Sequence, residues 1–85
     1  MASYKLLFRK SVARDLRSVP QRDLKRILAR LEALAEDPRP KGCEKLSGQE
    51  RYRVRQGLYR IIYEISDSVL TVTVVKVGHS RHVYR

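Results

Sequence analysis

The sequence predicts an α+β fold of order βααβββ, in which two N-terminal helices pack on one face of a mostly antiparallel, four-stranded sheet. Three observations lead to this prediction: apolar residues at helical spacing between residues 12 and 34, a proline-rich break at 37–40, and alternating polarity from residue 51 to residue 77. Because 85 residues leave room for one hydrophobic core, we expect residues 1–85 to form a single domain.

The N-terminal half contains one predicted strand and two predicted helices. Residues 4–9 alternate in polarity as a strand does, and Ser11 is a suitable N-cap for a short helix that ends near Pro20. A second helix is expected from about Gln21 to Glu36, where the prolines that follow would stop it. Its apolar stripe consists of Leu24, Ile27, Leu28, Leu31 and Leu34.

The C-terminal half is predicted to form three strands. Two alternating runs meet at Gln56 and Gly57, which predicts a hairpin, and a second turn at Asp67 and Ser68 leads into the last strand. The last strand is apolar on both faces in places, as a central strand should be. We therefore expect the first strand to lie beside the last one.

The first hairpin turn predicts which side chains share a face. A two-residue turn at Gln56 and Gly57 would place Arg53 opposite Arg60, with tyrosine, valine and isoleucine on the other face. If the helices cover the apolar face, the uncovered face carries a cluster of arginines. Its members are Arg51, Arg53, Arg55 and Arg60.

The second turn extends this assignment into the last strand. A two-residue turn at Asp67 and Ser68 would place Val77 on the arginine face, and continued alternation would add His79 and Arg81. The same face would then hold basic side chains from three consecutive strands.

The charge of this face indicates an anionic partner. Like charges opposite each other destabilise a sheet, so a cluster of arginines predicts a bound anion. After residue 50 the chain has two acidic residues, Glu64 and Asp67. Over the whole chain 19 Lys and Arg against 9 Asp and Glu give a net charge of +10, which favours a nucleic acid.

Other function classes are disfavoured by composition. Cys43 is the single cysteine, so the sequence offers neither an internal disulfide nor a zinc cluster, and we expect no metal and no cofactor. No apolar run reaches the length of a membrane span, and the first ten residues do not resemble a signal peptide. We therefore expect a cytoplasmic protein without a membrane partner.

Two motifs carry a family resemblance. The pattern Y-R-x-R-x-G-x-Y-R-x-x-Y spans residues 52–63, and G-H-x-x-x-V-Y-R spans residues 78–85. Together with the helical pair, the DPRP break and the KLSG segment, they resemble the RelE/ParE superfamily of toxin–antitoxin toxins over nearly the whole chain. RelE-type members are ribosome-dependent endoribonucleases that cut messenger RNA in the decoding site. The resemblance therefore implies three partners: messenger RNA on the ribosome, 16S ribosomal RNA, and a cognate antitoxin in a hetero-oligomeric complex.

The resemblance also implies roles for the arginine face. Arg53, Arg55 and Arg60 look like the basic residues that hold and polarise the scissile phosphate. Family members often have lysine at the first two positions, whereas arginine is not deprotonated at working pH, so Arg53 and Arg55 are assigned to charge stabilisation. Arg51 and Arg85 are expected to bind substrate.

The tail completes the implied site. Arg81 and Tyr84 match the family's terminal pair, although Ser80 stands where the family commonly has arginine. Tyr84 is our preferred general base, because nearby guanidinium groups favour the phenolate. His79 is the competing acid or base, since the ordinary pKa of a histidine side chain is about 6.5.

These residues predict a cleavage without a metal ion, in which the RNA 2′-OH attacks the adjacent phosphate. The main alternative is a ParE-like toxin, which shares the fold but inhibits DNA gyrase and has no nuclease activity. A noncatalytic nucleic-acid-binding module is a third possibility. The predicted register disfavours it, because it buries the aromatic residues that would stack on bases, namely Tyr52, Tyr59 and Tyr63.

Overall fold

The described part of the chain, residues 3–46 and 50–80 of a computed structural model, contains two helices and five strands. The strands and helices are, in chain order, β1 (Lys5–Phe8), α1 (Lys10–Arg17), α2 (Gln21–Glu36), β2 (Glu44–Lys45), β3 (Arg51–Gln56), β4 (Tyr59–Ser66) and β5 (Thr71–His79). The predicted α+β class is confirmed, and α2 has the predicted bounds. The difference is one additional strand, β2.

Strand β2 makes the sheet five-stranded rather than four-stranded. It pairs antiparallel with β3, with Glu44 opposite Arg53 and Lys45 opposite Tyr52. A turn precedes it, in which the Cys43 amide donates to the Pro40 carbonyl at 3.0 Å. Two residues are too few to show alternation in a sequence, so β2 was not predicted.

The sheet has the order β1-β5-β4-β3-β2. Strand β1 runs parallel to β5, from Lys5 opposite Thr71 to Phe8 opposite Val74, and the other pairs are antiparallel. The prediction that the first strand lies beside the last is confirmed. Strand β5 thus lies between β1 and β4, which explains why its side chains are apolar on both faces in places.

Both helices pack on one face of the sheet and enclose the core. Helix α2 buries Ile27, Leu31 and Leu34, which are three or four residues apart and therefore lie on one side of the helix. Leu28 of the predicted stripe is 43% exposed, because it lies about 100° around the helix from Ile27. Burying each large aliphatic side chain stabilises the fold by about 1.5–3 kcal/mol. The core residues are Val12, Val19, Ile27, Leu31, Leu34, Tyr52, Val54, Ile61, Tyr63, Ile65, Val72, Val74 and Val77.

A register shift in β5 changes which face its last residues occupy. Tyr63 lies opposite Val74 but Ile62 lies opposite Lys76, so Val75 is an extra residue in β5. One extra residue reverses the alternation beyond it. Val77 is therefore buried in the core rather than placed on the arginine face, and that prediction was wrong.

Helix α1 is anchored to β5 where β1 ends. Asp15 accepts a hydrogen bond from the Val77 amide at 3.2 Å and one from the Lys76 ammonium at 3.3 Å. Because β1 pairs with β5 only as far as Val74, the Asp15 carboxylate takes the place of a strand as the partner of the Val77 amide. The helix begins at Lys10, and its N-cap, Arg9, makes no side-chain cap, so the predicted Ser11 cap was wrong.

Candidate functional site

The uncovered face of the sheet contains a cavity of about 280 Å³, lined by Gly42, Glu44, Arg53, Arg55 and Arg60. We call it the arginine cavity. Three of the predicted site residues come together here, from two adjacent strands. Three guanidinium groups and one carboxylate leave the cavity with two positive charges in excess.

The β3–β4 hairpin brings these arginines together. Its turn lies at Gly57 and Leu58, one residue later than predicted, and Gly57 has a φ of +61°, which favours glycine. Arg55 therefore lies opposite Arg60, and Arg53 lies opposite Ile62. The predicted Arg53–Arg60 pair was wrong. Because pairing shifts by an even number of residues, the arginines still share one face.

The three cations are close enough to affect one another. Burial lowers the pKa of the Arg60 guanidinium, and the charges of Arg55 and Arg53 lower it further, whereas Glu44 raises it. An arginine whose charged form is disfavoured in this way lies in an environment that a bound anion would relieve.

Glu44 was not predicted as a site residue. Its carboxylate accepts hydrogen bonds from Arg53, from Nε at 3.1 Å and also from Nη2. Arg53, and to a lesser extent Arg60 and Arg55, hold the pKa of this carboxyl below its usual value. The contact depends on β2, whose two residues give no recognisable pattern, so we find no sequence signal that would have revealed it.

Arg51 lies on the same face but outside the arginine cavity. Its Nε donates to Glu64 at 2.8 Å, and Arg9 approaches the other oxygen of Glu64 at 3.7 Å. Together with the Arg53–Glu44 pair, this means that local neutralisation is greater than the sequence between residues 51 and 85 suggests. The predicted role of Arg51 in binding substrate stays a prediction.

His79 lies in a different cavity. It lines a space of about 270 Å³ with Asp15, Lys76 and Val77, among others, at the end of α1. Its ring meets that of Tyr59 edge-on, with centroids 5.7 Å apart. The register shift in β5 explains this position, because the extra residue turns His79 to the helix side of the sheet. The expectation that His79 projects on the arginine face was therefore wrong.

The predicted tail residues Arg81, Tyr84 and Arg85 lie outside the described residues. Within residues 3–46 and 50–80, no three His, Cys, Asp or Glu side chains form a group that could hold a metal ion. In the same part of the chain, neither helix is long and apolar enough to cross a bilayer.

A second charged cluster, which we call the Arg39 cluster, consists of Tyr4, Arg39, Tyr52 and Asp67. Arg39 binds both carboxylate oxygens of Asp67, at 3.2 and 2.9 Å, and its Nε donates to the Tyr52 hydroxyl at 3.3 Å. The Tyr4 hydroxyl donates to Asp67 at 2.7 Å. This cluster connects the segment after α2 to the β4–β5 turn and to the start of β1.

Comparisons with known proteins agree with this fold. The family model described as the ParE toxin of type II toxin-antitoxin systems, parDE, matches residues 5–84. No curated protein matches the chain.

Three solved structures illustrate the similarity, and each is a toxin–antitoxin complex. RelBE2 from Mycobacterium tuberculosis is 28% identical, with a TM-score of 0.83 over 93% of this chain and 93% of that chain. A chain of the RelE–RelB complex from Pyrococcus horikoshii is 26% identical to this chain, with a TM-score of 0.84. The match covers 95% of this chain and 99% of that chain. A chain of the E. coli RelBE complex is also 26% identical to this chain, with a TM-score of 0.79. The match covers 92% of this chain and 98% of that chain.

Proposed function

The chain belongs to the family of ParE toxins of type II toxin–antitoxin systems, and we propose that it is a RelE-like toxin, an endoribonuclease that cleaves messenger RNA on translating ribosomes. Its structural similarity to RelE toxins from a bacterium and an archaeon supports the comparison with that branch.

The observation that carries this proposal is the meeting of Arg53, Arg55 and Arg60 in one cavity. A phosphodiester is an anion at every physiological pH, and guanidinium groups bind phosphate oxygens with paired, charge-assisted hydrogen bonds. Arginines on two neighbouring strands can contact different oxygens of one phosphate. The arrangement suits a group whose negative charge increases during reaction.

The reaction needs no group from outside the RNA and the protein. The 2′-oxygen attacks phosphorus and forms a new P–O bond, the bond from phosphorus to the 5′-oxygen breaks, and the 2′ proton passes to a base. An acid protonates the departing 5′-oxygen, so the products are a 2′,3′-cyclic phosphate and a 5′-hydroxyl. Arg53, Arg55 and Arg60 would stabilise the charge on the phosphoryl oxygens in the transition state.

We assign the base to Tyr84, with Arg81 contributing charge beside it. His79 is the weaker candidate for proton transfer, because its cavity lies on the helix side of the sheet. Arg51 and Arg85 would bind the RNA backbone beyond the scissile phosphate.

A toxin of this kind requires an inhibitor in the cell that makes it. We propose a cognate antitoxin, as in the RelBE complexes that the chain resembles, and a hetero-oligomeric complex between the two proteins. The net charge of +10 favours acidic segments in that partner. We place the free toxin in the cytoplasm. Ribosomes there provide both of its proposed RNA partners, the bound messenger RNA and the 16S ribosomal RNA.

The test is to map the 5′ ends of transcripts after incubating the protein with translating ribosomes. Wild type should produce cuts with 5′-hydroxyl ends, and Arg60→Ala and Tyr84→Phe should each cut at least about 100-fold more slowly. Arg26→Ala removes the same charge from the exposed side of α2 and should cut normally. Undiminished cleavage by Arg60→Ala and Tyr84→Phe would exclude the assigned site. A large loss in His79→Ala with Tyr84→Phe near normal would transfer the base to His79.

Inhibition of DNA gyrase is a second candidate function, because the matching family model is that of ParE toxins. It predicts inhibited supercoiling by purified gyrase and no new transcript ends on ribosomes. Running both assays on one preparation separates the two functions.

A further inference from the structure

The arginine cavity contains an acid that no step of the proposed cleavage uses. Among the described residues that line it, Glu44 is the one with a negative charge. Its side chain is 64% exposed, whereas that of its partner Arg53 is 18% exposed. An ion pair with so exposed a partner stabilises a fold little, so stability does not explain why a carboxylate is held here.

The carboxylate is placed where an anionic ligand would bind. Its Oε1 accepts hydrogen bonds from both Nε and Nη2 of Arg53, and these are donors that arginine also uses to bind phosphate oxygens. The charges that face it come from two strands, Arg53 and Arg55 on β3 and Arg60 on β4. Its neighbour on β2, Lys45, is instead paired with Glu50 at 3.2 Å.

We propose that Glu44 is an internal competitor for the phosphate, whose carboxylate occupies Arg53 in the free protein and must be displaced before an RNA phosphate can bind there. The proposal rests on the proposed function in one respect, namely that the ligand of the cavity is a nucleic-acid phosphate.

Two consequences follow from this geometry. The neighbouring arginines hold the pKa of Glu44 below its usual value, so the competitor stays ionised at neutral pH. A phosphate that binds Arg53 must then exchange one charge-assisted contact for another, so Arg53 adds little net affinity. Affinity therefore depends on Arg55, on Arg60 and on contacts beyond the cavity.

The experiment measures binding apart from cleavage. The probe is a fluorescent 2′-O-methyl RNA oligonucleotide, which lacks the nucleophile and cannot be cut by the proposed reaction, and the readout is its anisotropy at low salt. Glu44→Gln keeps an oxygen that can accept from Arg53 but removes the charge. We expect it to bind about fivefold more tightly than wild type.

Glu50→Gln is the matched control. It removes the same charge close by, from a side chain that is 73% exposed and bound to Lys45 outside the arginine cavity. We expect less than about a twofold change, due to the general increase in positive charge. Equal gains in the two variants would overturn the proposal.

Glu44→Ala separates competition from positioning. If Glu44 competes with phosphate, the alanine variant also binds more tightly than wild type. If Glu44 instead holds Arg53 in position, the alanine variant binds more weakly and Glu44→Gln is unchanged, which overturns the proposal. Because the probe is not a substrate, tighter binding by Glu44→Gln together with no ribosomal cleavage by wild type would reject the nuclease function and leave the competitor in place.

Discussion

The Arg39 cluster and the arginine cavity are both built from arginine side chains, but the charges around those side chains differ. In the Arg39 cluster one guanidinium group donates two hydrogen bonds to one carboxylate, and its Nε donates a third to Tyr52. In the arginine cavity the described lining residues provide three guanidinium groups and one carboxylate. In the first arrangement one positive charge balances one negative charge, whereas the second has an excess of positive charge that a ligand can balance.

The pKa shifts show the same difference. The hydrogen bonds that Arg39 donates to Asp67 and Tyr52 raise its pKa. Arg39 and Tyr4 in turn hold the pKa of Asp67 below its usual value, so the folded state favours both ionised forms. Burial and neighbouring arginines lower the pKa of Arg60. The fold stabilises the charged form of Arg39, so this arginine contributes to the structure. The surroundings of Arg60 disfavour its charged form, so this arginine is suited to binding an anion.

The largest effect that separates the two clusters is expected from Arg55→Ala. Removing this cation should slow ribosomal cleavage about 100-fold, since one donor to the transition state is lost. The urea midpoint should not fall, because the like-charged partner opposite Arg60 is removed. Cleavage rates and urea denaturation of the same preparation check both parts. A lowered midpoint together with normal cleavage would show that Arg55 belongs with the structural arginines.

Arg39→Ala should show the reverse pattern. The side chain is 44% exposed, so after allowance for solvent screening we expect about 1 kcal/mol of lost stability, which includes its contact with the Tyr52 ring at 5.3 Å. Affinity for the 2′-O-methyl oligonucleotide should be unchanged, because Arg39 does not line the arginine cavity. Weakened oligonucleotide binding with an unchanged urea midpoint would erase the distinction between the clusters.

The smallest effect is a pH dependence due to Asp67. Its pKa is lower in the folded protein than in the unfolded chain, so its contribution is present above the unfolded pKa and is lost as pH falls through the folded pKa. Asp67→Asn should therefore be less stable than wild type near pH 7, and the difference should shrink as pH falls below about 4. Urea midpoints across this range test it. A difference that does not depend on pH would show that the carboxylate charge is not what Arg39 requires.

The site shows which parts of such a structure can be predicted from a sequence. Arg53, Arg55 and Arg60 alternate with Val54 and Ile61, and this periodicity placed the arginines on one face although the turn was assigned one residue early. An error of two residues in pairing preserves the faces. The single extra residue Val75 reverses them, and it misplaced Val77 and His79.

Other features had no local pattern to find. Glu44 reaches the arginine cavity through a strand of two residues, and Arg39 meets Asp67 across 28 positions of sequence. Such contacts depend on where a turn ends and how a loop packs. They are decided by the neighbours in space, which a single sequence does not show.

By itself the sequence determined the α+β class, the bounds of α2, the face on which the arginines of the hairpin lie and the resemblance to a toxin family, because each follows from the periodicity or spacing of nearby residues. The tertiary structure decided which arginines meet, which carboxylate lies among them and on which side His79 emerges. These depend on strand register, and register is set by turn geometry, the β5 irregularity and the packing of α1 rather than by the order of residues within a strand.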